Sequence, residues 1–197
     1  MMQRTLSIEL IDDCVFSARS ATEGGHASLD RVPGAALLGA AAARLYRSLD
    51  RREAYAAFHS GRLRFGDGLP WDGHGIAAPV PMCWHHPRER SPEHGDALDP
   101  ARIHNFLSVD GVGDDAQPKQ LRAGYVHGDG RWVRPAHGLR LKTAIEPATG
   151  RAAEGQLFGY DALARGQRFA ARIEADPGFD PALFEQVIEA LSGERLL

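Results

Sequence analysis

A chain of 197 residues with 43% apolar and 25% charged side chains has ordinary globular composition, which excludes disordered and fibrous classes and fits one domain or one with a small appendage. The formal net charge of −3 argues against polyanion binding by the whole surface and leaves room for a local basic face. No apolar run reaches the roughly eighteen residues of a membrane span, and MMQRTLSIELIDD lacks the basic start and apolar core of a signal peptide. A cytoplasmic protein is expected, away from the membrane. Cys14 and Cys83, the only cysteines, make no disulfide framework and are expected as buried thiols.

Leu6 to Phe16, LSIELIDDCVF, alternates imperfectly between apolar and polar and predicts a first strand. A polar loop follows, Ser17 to Val32, carrying Gly24 and Gly25. It runs through Arg31 and Pro33 into a helix expected over Gly34 to Leu49, whose Leu37, Leu38, Ala41, Ala42, Leu45 and Leu49 recur at helical spacing. Each buried leucine there contributes on the order of 2 kcal/mol. Gly39, Ala40 and Ala43 keep that helix thin enough to lie close on a sheet. Such a start suits an anion: first-turn N–H groups are unpaired, the helix dipole is positive there, and Gly24, Gly25 and Gly34 allow close approach. A junction that binds nothing is the alternative.

Glu53 to Phe58 extends the helical region, and Leu63 to Phe65, ahead of Gly66, Asp67 and Gly68, reads as a short strand. From about 69 to 118, prolines, glycines and histidines dominate and no period persists, as expected of an irregular functional insertion. Strand patterns resume at Leu121 to Val126, Trp132 and Val133, and Leu139 to Ile145. Gln156 to Tyr160 and Gln167 to Ile173 are expected as strands around a helical turn at Asp161 to Ala164. Asp180 to Leu191, DPALFEQVIEAL, predicts a helix with Asp180 as N-cap and Pro181 in its first turn. Strand, helix, strand, a β-rich middle and a helix make an α+β chain in the frame of a ferredoxin-like fold, βαββαβ, whose closing strand is not visible after the last helix.

TEGG followed by SLDRVPGAALLGAAAARLY, then SGRLRFGDGLP, QPKQLRAGY and KTAIEPATGRAAEGQLFGYDALARGQRF, together resemble the RAMP superfamily of CRISPR-associated proteins. The likeness spans roughly Ile8 to Ile173 and is nearest to the Cas-five-like type III-D subunits called Csx-ten. It implies a single RAMP domain over 1–197, ferredoxin-like in the manner of RNA-recognition motifs, with the insertion at about 69–118. Family members carry a glycine-rich loop after the last helix of such a domain. The chain is therefore expected to be the N-terminal part of a longer protein. The resemblance implies crRNA and other CRISPR RAMP subunits as partners, mostly without catalysis, and neither a cofactor nor a small-molecule substrate is expected.

Of the basic residues, almost all arginine, only Lys119 and Lys142 are lysines, and a retained lysine suits a point contact to phosphate. RNA-binding candidates are Gly24, Gly25, Arg31, Gly34, Lys119, Arg122 and Lys142, with Arg140 a weaker addition and solvated surface charge the alternative for each. Arg44, Arg47, Arg51 and Arg52 read as the wet side of the first helix. Tyr125, Phe158 and Tyr160 are candidates for stacking on bases, although each lies in an apolar pattern that suits core packing. The catalytic alternatives are weaker: His26 for metal-free RNA processing, and Asp30 for target cleavage, where an N-cap-like or salt-bridged role is the preferred reading. Cys83, His85, His86, His94 and His104 lack the paired spacing of a structural zinc site, so no metal is expected. His74, His127 and His137 show no constellation in the sequence.

Overall fold

The computed structural model describes residues 1–18, 26–89, 91–107 and 117–193, with the backbone alone over 152–158. Two compact units result: Met1–Leu69 with His137–Leu197, and Pro70–Ala136.

The first unit is built on an antiparallel sheet. β1 (Met2–Glu9) pairs along its whole length with β12 (Arg168–Ala175), Leu6 opposite Ala171, and β12 pairs on its other side with β2 (Leu63–Phe65). The short β3 (Leu69–Pro70) also bonds to β12. Helices α1 (Gly34–Leu45), α2 (Arg51–Phe58) and α3 (Pro181–Leu191) supply the rest of the core. Phe169, Ala171, Ile173 and Ala175 from β12 meet Leu37 and Ala41 from α1 and Leu183, Phe184, Val187 and Ile188 from α3. The expected α3 is present with its cap: the Asp180 carboxylate accepts the Ala182 N–H at 2.9 Å, and Pro181 opens the first turn. Among the described residues no strand follows it.

Three local expectations give way to tertiary pairing or to a cap. The first strand ends at Glu9 instead of Phe16, because the Gly166 N–H closes a turn onto the Leu10 carbonyl at 2.6 Å and Cys14 then bridges to Leu163. The expected helical turn at Asp161 to Ala164 is instead the end of a strand, β11 (Ala152–Leu163), paired with β10 (His137–Ile145). Leu163 is fully buried, and its backbone exchanges hydrogen bonds with Cys14 at 2.8 and 2.9 Å. Finally, the first helix does not run on to Leu49. Asp50 starts α2 with a capping box, accepting the Arg52 and Glu53 N–H groups while Glu53 accepts from the Asp50 N–H.

Close approach of α1 to the sheet is achieved at Gly34 and not at Gly39. A Cβ on Gly34 would stand 2.0 Å from the Phe65 carbonyl oxygen, whereas one on Gly39 would meet nothing within 4 Å.

The segment expected to be irregular is most of the second unit, which continues past 118 to Ala136. β4 (Ala78–Pro79), β8 (Tyr125–Val126) and β9 (Trp132–Val133) form one small sheet, and β6 (His104–Asn105), β5 (Trp84–His86) and β7 (Lys119–Gln120) another. Val80, Leu121 and Trp132 make its core, with Trp84, Leu98 and Ile103 against them. Gly124, at φ +99°, lies under the Trp132 indole, where a Cβ would be 2.5 Å from Nε1. Asp72 is its polar anchor. It accepts the His74 and Gly75 N–H groups and the Arg131 guanidinium at 2.7 Å, and the two backbone bonds above all hold its carboxyl far below the ordinary range. No helix of the described residues is long and apolar enough to cross a membrane.

Candidate functional site

The expected residues separate into three places. At the start of α1, Gly24 and Gly25 lie outside the described residues, and Arg31 and Gly34 already have a carboxylate. Arg31 Nε donates to Asp67 Oδ2 at 2.7 Å, and the Gly34 N–H donates to Asp67 Oδ1 at 2.8 Å. Asp67 thus takes the position expected for a phosphate. The backbone sets it there, since Val32 and Gly68 exchange hydrogen bonds at 3.0 and 2.7 Å. Asp30 is not a cap: Pro33 occupies that position, and Asp30 Oδ1 lies 3.6 Å from Arg31 Nη1.

The second place is the basic face of the β10–β11 hairpin. Arg140 faces Tyr160 and Lys142 faces Phe158 in the register, so Arg140, Lys142 and Tyr160 share one side of the ribbon. Lys142 is exposed, and its Nζ sits 5.5 Å from the centre of the Tyr160 ring, a cation–π contact contributing about 0.5–1 kcal/mol at such a site. Among the described residues it has no carboxylate partner. Arg140 is less available, because Asp13 holds it through Nε at 2.7 Å and through a second bond from Nη2. Asp13 also accepts the Arg165 N–H at 2.9 Å, and that backbone bond, followed by Arg140, lowers its pKa. On the opposite side Leu139 and Leu141 are exposed.

His26 reaches this face. Its backbone bridges to Tyr160, its ring lies 5.6 Å from the Tyr160 ring, and its Nε2 is 2.7 Å from the Ser17 hydroxyl. Its Nδ1 is buried and has no hydrogen-bond partner among the described residues. Asp161 fixes the loop to the strand: its N–H donates to the His26 carbonyl, and its carboxylate accepts the Ser28 N–H at 3.0 Å and contacts His137 Nδ1 at 2.9 Å. Two candidates chosen separately from the sequence, His26 and Lys142, therefore meet at Tyr160. Ser17, Asp161, His137 and Asp13 were not singled out, because their partners are remote in sequence. Cys14 beside them is half-buried, and burial followed by the Asp12 and Asp13 charges pushes its thiol pKa up, away from a reactive thiolate.

The third place is the second unit. Lys119 stands opposite His86 in the register and is exposed, as is Arg122, and neither has an ion-pair partner among the described residues. Tyr125 is buried, a core residue as its pattern implied, and the Phe158 side chain lies outside the description. The histidines around Cys83 are engaged singly: His85 Nδ1 with the Cys83 carbonyl, His86 Nδ1 with the Pro87 carbonyl, and His94 with Arg134. Among the described residues no three His, Cys, Asp or Glu side chains are grouped to hold a metal ion.

No family model matches the chain, and no curated protein matches it by sequence. Solved structures do share its fold. A cryo-EM structure of the type III-B Cmr-beta bound to cognate target RNA matches with a TM-score of 0.51 and 10% identity, over 94% of this chain and 88% of that one. The apo state of the type III-B Cmr-beta matches with a TM-score of 0.51 and 9% identity, over 95% and 88%. At this identity the likeness is one of fold, an α+β architecture extending over nearly the whole chain.

Proposed function

We propose that this chain is a crRNA-binding and assembly subunit of a type III CRISPR effector complex, of the III-D-like, Csx-ten kind. The observation that carries the reading is the near full-length likeness in fold to chains from two structures of the type III-B Cmr-beta, one of them the target-RNA-bound state, joined to the sequence resemblance to RAMP proteins. The sheet supports it further. With α1 and α2 between β1 and β2, and α3 after β12, the order β1–β12–β2 is that of the first three strands of a ferredoxin-like frame. In this reading Lys142 contacts RNA phosphate beside the Tyr160 ring, with Lys119 and Arg122 as further contacts on the second unit. Arg31 and Gly34 contribute only where RNA displaces Asp67.

The test is the affinity of the full chain for a labelled crRNA 5′ handle, measured by anisotropy against salt. Lys142→Ala is expected to weaken binding and to reduce the salt slope by about 0.7, one phosphate on a single strand. Absence of binding by the unaltered protein overturns the reading; unchanged affinity and slope in the variant remove Lys142 from the site.

A second reading is favoured by the position of His26. The imidazole near Tyr160, with the Lys142 ammonium over the same ring, supports a metal-free endoribonuclease in which Nε2, once released from the Ser17 hydroxyl, takes the proton of a ribose 2′-hydroxyl and the ammonium opposes charge on the phosphate. His26→Ala would then abolish cutting without loss of binding. No cutting by the unaltered protein rejects this reading and leaves the first intact.

A further inference from the structure

The α1–α2 corner carries a cluster that the hairpin site does not use. Between Arg44 and Arg62 the chain has five arginines against two carboxylates, within a protein whose formal net charge is −3. Both carboxylates, Asp50 and Glu53, are spent in the capping box of α2. Five arginines elsewhere in the chain face a carboxylate: Arg4 with Glu185, Arg31 with Asp67, Arg64 with Asp176, Arg131 with Asp72 and Arg140 with Asp13. Arg47, Arg51 and Arg52 are exposed and have no such partner among the described residues. They are positive groups left to solvent.

Aromatic rings stand beside them. Helical spacing puts Arg51, Arg52 and Tyr55 within one outward arc of α2, opposite the buried Ala54 and Ala57, and His59 follows as the C-cap. Tyr55 is 62% exposed and lies nearly parallel to the His59 ring, with centres 6.4 Å apart. Tyr46 meets His59 edge-on and accepts or donates a hydrogen bond through its hydroxyl to Nε2 at 3.1 Å, while its ring contacts Phe58. Phe58 packs against the core and so anchors the outer rings. The result is a pre-set aromatic ladder ending in an open tyrosine face, bordered by unpaired guanidinium groups.

We propose that this corner is a second RNA contact, binding unpaired nucleotides with a base on Tyr55 and flanking phosphates on Arg47, Arg51 and Arg52. The inference rests on the RNA-binding reading above and adds a site to it. A single strand is the occupant that matches both halves of the surface. Its bases have free faces to stack and its backbone supplies the anions, whereas a duplex hides the first and an acidic protein segment lacks it.

The experiment uses the full chain with a labelled uridine-rich RNA, an RNA duplex of equal length and poly-glutamate. Tyr55→Ala is expected to weaken single-strand binding roughly fivefold or more, and Tyr55→Phe to restore it. The R51A/R52A double variant is expected to reduce the salt slope by about 1.4, for two phosphates on a single strand. Both variants leave the Asp50 cap bonds in place, since these use backbone N–H groups, so circular dichroism should be unchanged. RNA containing 4-thiouridine should crosslink to the peptide bearing Tyr55. Equal binding of duplex or poly-glutamate, or no effect of Tyr55→Ala while Lys142→Ala weakens binding, overturns the second contact alone. No RNA binding by the unaltered chain overturns the parent reading as well.

Discussion

The start of α1 and the basic face of the β10–β11 hairpin both carry groups suited to a phosphate, and they differ in what stands opposite. At α1 the guanidinium of Arg31 and the first helical N–H converge on one carboxylate, Asp67. On the hairpin the Lys142 ammonium meets only the face of Tyr160, and no carboxylate among the described residues answers it. A helix start is an anion site in potential, and the fold decides whether the anion is its own. Availability of charge separates the two places better than the number of charges does.

The comparison is broken most severely at Gly34. Gly34→Ala drives a Cβ to within 2.0 Å of a backbone oxygen that cannot swing away, and the expected cost is about 3 kcal/mol, read from a urea unfolding midpoint. A variant of unchanged stability that lost RNA binding would instead assign this glycine to the ligand. Asp67→Asn comes next. It keeps an oxygen for the Gly34 N–H but removes the charge facing Arg31, so stability should fall by about 1 kcal/mol while RNA affinity rises and its salt slope steepens. If affinity is unmoved, α1 takes no part in binding even when its own anion is withdrawn.

Acid should loosen the hairpin through Asp13. Its folded pKa is lowered, so its contribution to stability is present above the unfolded value near pH 4 and is lost as pH falls through the lower, folded one. Amide exchange at Arg165, whose N–H Asp13 accepts, should stay protected down to about pH 4 and weaken below it. Protection lost already near neutrality would show that Asp13 does not hold the ribbon. The smallest effect sharpens the comparison from the open side: Lys142→Gln should lower stability by no more than about 1 kcal/mol, the cation–π contact, while lowering the salt slope of RNA binding.

Much of the candidate site was legible as residues and little of it as an arrangement. Lys142 stood out as one of two lysines among arginines, and His26 as a histidine in a glycine-bearing loop. Their shared neighbour Tyr160 reads from its apolar pattern as core first, and only the pairing with Arg140 and the bridge from His26 set its half-buried ring between Lys142 and His26. His137 showed no constellation in the sequence because its partner Asp161 arrives from the facing strand. The same holds for Arg31 and Asp67, thirty-six positions apart.

What the sequence determined by itself is local. The periodic apolar faces of α1 and α3, the Asp180 cap and the short strand at Leu63 all follow from contacts within a few residues, where spacing and capping chemistry act directly. Tertiary structure alone decided the rest: that Asp161 to Leu163 extend a strand, that Pro70–Ala136 close around a core of their own, and that Asp67 caps α1 while Lys142 is left open. Each of these depends on a partner distant along the chain, and pairing over that distance leaves no periodic trace in either segment.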